Sequence, residues 1–245
     1  MESIVIPDNV TSIGAVAFAS CSRLTAAKIG KGVTTIGNSA FYECSSLEFI
    51  NIPDNVTTID DGAFYKCGSL KDIIIPDNVT TIGAVAFGYC SGLTSVKIGK
   101  GVTAIGDGAF AGTDISTVIS LIKNPFNVSE PFSAKTYINA TLYVPVGTKE
   151  KYEATDGWKD FLYIEELTND ISQIPSRSMQ IQSQDGIITV SGVDHGSKIS
   201  VYDASGKMVG STKVKDNQAS LATNIKKGEV AIIKIGEKTM KIVMQ

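Results

Sequence analysis

The chain has 245 residues, of which 43% are hydrophobic and 19% charged, and its formal net charge is −3. This length suits one large domain or two modest ones, and the composition excludes a disordered chain. The weak negative charge argues against a general nucleic-acid binder, which needs a basic face. No run approaches the ~20 apolar residues of a membrane span and no apolar leader opens the sequence, so we expect neither a span nor an export signal in it.

One phrase recurs five times from the start of the chain, with a fixed period of 23 residues. The stretch IPDNVTTIDDGAFYKCGSL at 52–70 follows IGKGVTTIGNSAFYECSSL and precedes IPDNVTTIGAVAFGYCSGL. A fixed period of this size is the signature of a repeat architecture. An Ala-Phe pair closes each unit, and its aromatic members are Phe18, Phe41, Phe64, Phe87 and Phe110.

Each unit predicts two short extended pieces joined by a turn. The pattern L-x-x-I-x-I alternates as a strand does, a Pro-Asp-Asn or Gly-Lys-Gly turn follows, and V-T-T-I-G is the second piece. One unit cannot bury its apolar face alone, whereas stacked units share a core and align their strands in a parallel sheet. The predicted fold is therefore a solenoid, and five rungs spaced by ~4.8 Å make a sheet roughly 20–25 Å wide.

The full pattern L-x-x-I-x-I-P-x-x-V-T-x-I-G-x-x-A-F-x-x-C-x-x-L resembles the BspA-type leucine-rich repeat of bacterial surface proteins. The resemblance covers residues 1–117, where five units match at nearly every position. It implies a curved, right-handed leucine-rich-repeat solenoid with its strand sheet on the concave side. It also implies adhesion to host matrix proteins, other cells or glycans.

After Thr117 the period fails, and residues 118–167 are predicted to form a degenerate repeat and a cap. A strand-like run from Val118 to Ile122 is followed by a long insertion, then by a strand, a Pro-Val-Gly turn and a short helix from about Lys149. A solenoid needs such a cap because its last rung would otherwise expose core side chains. The candidates for covering that rung are Tyr152, Trp158 and Phe161.

A linker at 168–177 is predicted because the composition changes at ELTNDISQIPSRS and the charge balance changes sign there. Residues 1–167 contain 12 Lys and Arg against 18 Asp and Glu, whereas 168–245 contain 10 against 7. Residues 178–245 alternate in short runs separated by turns at Asp185-Gly186, Ser205-Gly206 and Lys227-Gly228, which predicts a small all-β sandwich domain.

The stretches VYDASGKMV and GEVAIIKIGEKTMKIV resemble the C-terminal domain of secreted Bacteroidetes proteins, including the sorting tails of the type nine secretion system. That resemblance implies a role in export or anchoring. The sequence departs from the family in the run Gly228 to Ala231, where a tyrosine usually follows the glycine segment.

Cysteine occurs once in each of four units, as Cys21, Cys44, Cys67 and Cys90. An even number in an extracellular protein suggests disulfides. Equivalent positions on stacked rungs point in parallel, however, while a disulfide needs converging Cβ vectors, so we expect buried free thiols. The close ligand pairs of a zinc site are missing.

No other motif predicts catalysis or a metal. The GKGVTTIG phrases do not have phosphate-loop spacing. Asp8, Asp54 and Asp77 could form a calcium ladder, but lysine interrupts the series and an Asp-Asn turn is the simpler interpretation. The single histidine, His195, lies in a predicted turn without a catalytic set around it. We therefore expect a protein that is not an enzyme and needs no cofactor.

The variable positions of the repeat are the candidate binding surface. Core positions are nearly uniform, while two strand positions predicted to face the concave side differ from unit to unit. Phe49 and Ile74 lie there on adjacent rungs as an apolar pair of the kind that interfaces use, with Phe49 as the one aromatic residue on that face. Drift at unconstrained positions would also produce such variation. The candidate partner-binding residues are Val5, Lys28, Phe49, Asn51, Asp72, Ile74 and Lys97.

The sequence thus predicts a secreted or surface-attached bacterial binding module, a monomer that adheres to an extracellular protein or glycan through the concave face. One alternative is an accessory protein that captures glycans, for which Tyr42, Tyr65 and Tyr89 form a partial ladder on the convex side. The other is a structural spacer on the cell surface.

Overall fold

The structure is a computed structural model that describes residues 2–167, 180–184, 186–191, 197–215, 218–235 and 238–244. The chain divides into two compact units, Met1–Pro175 and Ser176–Gln245, and each is described by itself. The predicted linker at 168–177 and His195 lie outside the described residues. Among the residues described, neither helix is long and apolar enough to cross a bilayer.

The first unit is a stack of rungs in which short strands alternate with turns. The first strand of each rung is one of β1 (Ser3–Val5), β3 (Ala26–Lys28), β5 (Phe49–Asn51), β7 (Asp72–Ile75), β9 (Ser95–Ile98), β11 (Thr117–Ser120), β12 (Thr141–Val144) and β13 (Tyr163–Glu166). The second strand is one of β2 (Ser12–Ile13), β4 (Thr35–Ile36), β6 (Thr58–Ile59), β8 (Thr81–Ile82) and β10 (Ala104–Ile105).

All strand pairs of this unit are parallel, and their registers confirm the predicted solenoid with its 23-residue period. Ser12 pairs with Thr35 and Thr58 with Thr81, as expected when identical units stack. The second strands form one sheet in the order β10-β8-β6-β4-β2. The first strands form two sheets, β1-β3-β5 and β13-β12-β11-β9-β7, and within residues 2–167 no strand pairing joins β5 to β7.

A ladder of stacked phenylalanine rings runs through the core. Neighbouring centroids are 5.1 to 5.4 Å apart and the planes differ by at most 18°. The ladder contains one member more than the sequence pattern predicted, because Phe132 from the insertion stacks on Phe110. Its six rings are Phe18, Phe41, Phe64, Phe87, Phe110 and Phe132.

The four cysteines are free, and all except the half-buried Cys21 are buried. Each buried thiol donates a hydrogen bond to a phenylalanine carbonyl of the preceding rung, as Cys67 Sγ does to Phe41 O at 3.2 Å. In the fifth unit Thr113 takes the cysteine position, and its hydroxyl donates to Phe110 O at 2.7 Å. The position therefore needs a small side chain with a donor rather than a disulfide.

The solenoid continues past the end of the regular period. Thr117 pairs with Ser95, Thr141 with Thr117 and Tyr163 with Thr141, so β11, β12 and β13 extend the same sheet at spacings that differ from 23. The insertion contains a helix that the sequence pattern did not indicate, α1 (Ala134–Asn139). The expected helix near Lys149 is α2 (Lys149–Glu153). Insertion and helices together change the spacing without changing the register of the sheet.

The three aromatic residues proposed for the cap are buried, as expected. Trp158 and Phe161 meet Phe132 edge-on, with centroids 6.0 and 5.2 Å away. The hydroxyl of Tyr152 donates to Ile122 O at 2.8 Å, and burial raises the pKa of this phenol. Trp158 and Phe161 thus cover the last ring of the ladder, and Tyr152 packs edge-on against Trp158, with centroids 5.3 Å apart.

The second unit contains only antiparallel strand pairs among its described residues. Two sheets have the orders β14-β15-β18 and β17-β16-β19-β20. Inward side chains of both sheets, among them Val190, Val201 and Ile233, form one hydrophobic cluster, and Gly210 of β17 lies directly against the side chain of Leu221. The strands are β14 (Gln180–Gln184), β15 (Ile187–Ser191), β16 (Lys198–Tyr202), β17 (Met208–Lys213), β18 (Gln218–Ala222), β19 (Val230–Ile235) and β20 (Lys238–Val243).

Candidate functional site

The candidate site lies on the first strands of the repeats, where side chains alternate between core and surface. The middle residue of each strand points into the core, as Ile50 and Ile73 do. The residues before and after it point outward, and we call these two series the outward columns. The first column contains Ser3, Ala26, Phe49, Asp72 and Ser95, and the second contains Val5, Lys28, Asn51, Ile74 and Lys97.

The structure brings the predicted partner-binding residues onto this one face. Val5 is 67% exposed and Lys28 is exposed, while the other five predicted residues are half-buried. No contact in the structure tests whether these residues bind a partner, so their role stays a prediction. Their placement is nevertheless rigid, because each is flanked in its strand by a core residue or a turn.

Phe49 and Ile74 lie on either side of the interruption between the two first-strand sheets. Phe49 is half-buried and in register with Ala26 on β3. Ile74 is in register with Lys97 on the other sheet. Two lysines of the second column therefore lie near the apolar pair. Lys28 is one rung from Phe49, and Lys97 is one rung from Ile74. Such a surface can bury apolar area and contact anions.

The outward columns are longer than the sequence pattern indicated. Registers carry the first column on to Tyr163 and the second to Tyr143. Phe49 is thus not the one aromatic residue on this face, which corrects the sequence-based expectation. The period breaks after Thr117, so a repeat alignment could not place β12 and β13. The alternation in TLYV was the one feature of the sequence that indicated β12. Tyr163, on the last strand, is 52% exposed.

The three tyrosines of the predicted ladder also come together. The rings of Tyr42 and Tyr65 stack with centroids 5.3 Å apart and planes within 9°, whereas Tyr89 lies 5.4 Å from Tyr65 at an angle of 59°. Tyr89 is tilted because it stands one position later in its repeat, where Gly88 occupies the tyrosine position.

Beside Tyr42 and Tyr65 lies a shallow cleft of about 400 Å³. Polar groups line part of it, including Asn38, Ser39 and Asp61. Nearby, Lys66 Nζ is 2.9 Å from Glu43 Oε1 and 5.5 Å from the centre of the Tyr65 ring. This hydrogen-bonded pair lowers the pKa of Glu43 and raises the pKa of Lys66. The cleft thus combines aromatic rings, amide and hydroxyl groups and one carboxylate.

The aspartates of the repeat turns act as turn residues. Asp8 Oδ1 accepts a hydrogen bond from Lys31 N at 2.8 Å, and Asp77 does the same for Lys100 N at 3.2 Å. In the part of the chain that the structure describes, no group of three or more His, Cys, Asp or Glu side chains could hold a metal ion. Asp8 and Asp77 therefore connect successive rungs.

Comparisons with known proteins support the repeat assignment. Residues 1–120 match the family model described as BspA type leucine rich repeat region, in six copies, one more than the sequence pattern alone distinguished. The predicted family resemblance is thereby confirmed for the repeats. No curated protein matches the chain.

Two solved structures of bacterial proteins have a fold similar to that of the first unit. The leucine-rich repeat protein TpLRR of T. pallidum is 24% identical, with a TM-score of 0.52, and the match covers 62% of this chain and 82% of that protein. The pneumococcal vaccine antigen PcpA is 22% identical, with a TM-score of 0.54 and coverage of 69% and 42%. The matched part therefore spans less than half of the pneumococcal protein. These similarities establish the fold of the repeat unit.

Proposed function

We propose that the chain is a non-enzymatic binding module that is secreted by a bacterium or attached to its surface. It adheres to an extracellular macromolecule through the outward columns. The observation that supports this function is the contrast between the uniform core positions and the varied outward columns on one face of the first strands. Repeat proteins commonly build binding surfaces by varying exposed positions on a shared scaffold.

Phe49 and Ile74 are the proposed anchors of this surface. Each retains exposed apolar area although it lies on a strand that is otherwise packed. Fully burying a large apolar side chain contributes roughly 1.5–3 kcal/mol, and partly exposed anchors contribute less. Lys28 and Lys97 favour a partner with acidic groups around an apolar centre, because complementary charge increases the association rate and the specificity.

We further propose that the module works outside the cell, in a Bacteroidetes-like bacterium. This part rests on the BspA-type repeats and on the likeness of the C-terminal stretches to sorting tails. On this proposal, residues 1–167 are the binding solenoid, 168–177 a linker and 178–245 a β-sandwich domain for export or anchoring.

The test is a binding array of host matrix proteins and of bacterial and plant glycans. The parent chain is compared with the double variant Phe49→Ser/Ile74→Ser. The matched control is Ile138→Ser/Val146→Ser, which changes two exposed apolar residues away from the columns. A protein ligand that binds the parent and the control but not the double variant supports adhesion through the outward columns. Equal binding by all three proteins would contradict that site.

Glycan capture is the second candidate function, and the stacked tyrosines beside the 400 Å³ cleft favour it. Aromatic rings with polar neighbours are suited to sugars because they offer an apolar body and a polar tip. On this reading, glycan binding survives Phe49→Ser/Ile74→Ser and is lost in Tyr42→Ala/Tyr65→Ala. No binding to any array component would leave the structural spacer as the better account.

A further inference from the structure

The second unit carries a cluster of lysines on the outer face of its four-stranded sheet. Along β16 and β19 the inward side chains, such as Ile199, Val201 and Ile233, are buried in the core of this unit. The residues between them point to the other side of the sheet. Lys198, Lys213 and Lys234 are exposed there, on three adjacent strands in the order β17-β16-β19.

The register places the three lysines close together. Lys198 lies directly opposite Lys213 on β17. Lys234 lies opposite Ser200, and therefore diagonal to Lys198. Directly opposite residues have Cβ atoms about 4.5–5.5 Å apart, and diagonal neighbours about 7–8 Å. A single anionic group can thus contact more than one of these ammonium groups.

Nothing in the sheet neutralises this charge. The four strands contain no acidic residue. None of the three lysines forms an ion pair; the ion pairs among described residues all lie in the first unit. Like charges directly opposite each other in a sheet are destabilising. The Lys198–Lys213 pair therefore costs stability in the free protein, and a bound anion would relieve that cost.

The neighbours of the lysines are hydroxyl and aromatic groups. Ser211 is exposed on the outer face and lies opposite Ser200, which is buried. Tyr202, half-buried, follows on the same face of β16, opposite Ile232. Hydroxyls donate to and accept from other hydroxyls, and a tyrosine ring can pack on a sugar while its own hydroxyl stays solvated. The lysines thus lie beside groups that suit a polyhydroxylated ligand.

We infer that the outer face of the β17-β16-β19-β20 sheet is a docking surface for an acidic polysaccharide. The lysines bind its carboxylate, sulfate or phosphate groups, and Ser211 and Tyr202 contact its sugar rings. Met208 and Ile232 also lie on this face, opposite Tyr202. A membrane with anionic lipids nevertheless fits less well, because the exposed side chain next to Lys213 on this face is the hydroxyl of Ser211. This surface is separate from the outward columns and goes beyond the proposed adhesion site.

The test is electrophoresis of the full chain through gels that contain polygalacturonate, with gels that contain dextran as the neutral reference. The net charge of −3 means that bulk attraction to a polyanion is not expected. We expect retardation in polygalacturonate alone. The variant Lys198→Gln/Lys213→Gln/Lys234→Gln should bind about tenfold more weakly, the combined effect of three exposed charge contacts.

The matched control removes the same charge elsewhere in the unit, with Lys207→Gln/Lys226→Gln/Lys227→Gln, and should bind as the parent does. Absence of retardation overturns the inference, and so does an equal loss in both triple variants, since binding would then follow net charge. Binding to phosphatidylglycerol vesicles without binding to polygalacturonate also overturns it, in favour of a membrane. Because the lysines are remote in sequence from the repeats, loss of the adhesion site by Phe49→Ser/Ile74→Ser leaves this result unchanged.

Discussion

The ring of Phe132 stacks on that of Phe110, with centroids 5.2 Å apart and planes within 12°, although Phe132 lies beyond the regular repeats. On its other side Phe132 meets the edges of Phe161 and Trp158 instead of another face. The insertion thus supplies the last ring of the ladder, and the aromatic residues of the cap cover that ring. The ladder is continuous from the first rung to the cap, so its members are expected to dominate stability.

Replacement of a ring in the middle of the ladder should be costly. Phe64 is fully buried between Phe41 and Phe87, and Phe64→Ala is expected to lower the free energy of unfolding by about 3–5 kcal/mol, as for other buried Phe→Ala changes. Urea denaturation measures it. The control is Phe18→Ala, because Phe18 is half-buried and should lose clearly less. Equal losses would contradict the assigned packing.

Replacement of Val16 by asparagine should stabilise the protein. Its φ is 53°, in the left-handed region, which costs a β-branched residue roughly 1–2 kcal/mol, and its side chain is 59% exposed. Val16→Asn is expected to raise the free energy of unfolding by about 1 kcal/mol, because asparagine adopts this conformation more readily. Val146→Asn, at another exposed valine that lacks a positive φ, should change stability by less than about 0.5 kcal/mol.

The carboxylate of Glu166 links the last strand to the cap helix. Its Oε1 accepts hydrogen bonds from the backbone N–H groups of Gly147, Thr148 and Lys149 at the start of α2, at 2.7 to 3.3 Å. Glu166→Ala should destabilise the chain by about 1–2 kcal/mol, comparable to loss of a helix N-cap. Glu165→Ala is the control, since Glu165 is exposed and should be near neutral. A Glu166 variant as stable as the control would contradict the capping role.

Thiol labelling should distinguish the cysteines by rung. Cys44, Cys67 and Cys90 are buried, and only the thiolate reacts, so they should stay unlabelled in the native protein at pH 8. Cys21 is half-buried and should label first. Labelling by an aromatic disulfide reagent, followed by peptide mapping, gives the order. Rapid labelling of Cys67 before unfolding would contradict the closed core.

Stability should fall at alkaline pH through the thiol ladder. Burial raises the pKa of Cys44 from 9.0 to about 11, and the neighbouring Cys90 thiol together with burial raises the pKa of Cys67 as well. Between pH 9 and about 11 the unfolded chain loses these protons while the folded chain keeps them, so the free energy of unfolding decreases.

The measurement is urea denaturation at pH 8 and pH 10.5. Cys44→Ser removes one ionisable thiol and keeps a hydroxyl donor for Phe18 O, the acceptor of the Cys44 bond. The decrease between the two pH values should be smaller in this variant than in the parent. An identical decrease in both proteins would show that Cys44 does not contribute.

Much of the first unit could be predicted from the sequence. The alignment of Phe41 with Phe64, or of Ser12 with Thr35, follows from the period, because each rung repeats its neighbour and contacts between rungs are copies of one local arrangement. The same reasoning gave the parallel thiols and the outward columns. Reasoning from the repeat fails after Thr117, because the spacing ceases to be constant there. No sequence alignment then connects β12 or β13 to the earlier strands.

The sequence by itself determined the rung, its core positions and the class of fold, because hydrophobic periodicity acts locally. The tertiary structure decided which strands outside the period pair with one another. It brought Tyr143 and Tyr163 onto the face of Phe49, interrupted the sheet between β5 and β7, and set Lys198 against Lys213 and beside Lys234. Such pairings join residues distant in the chain, and they depend on how whole strands pack rather than on any spacing that can be counted along the sequence.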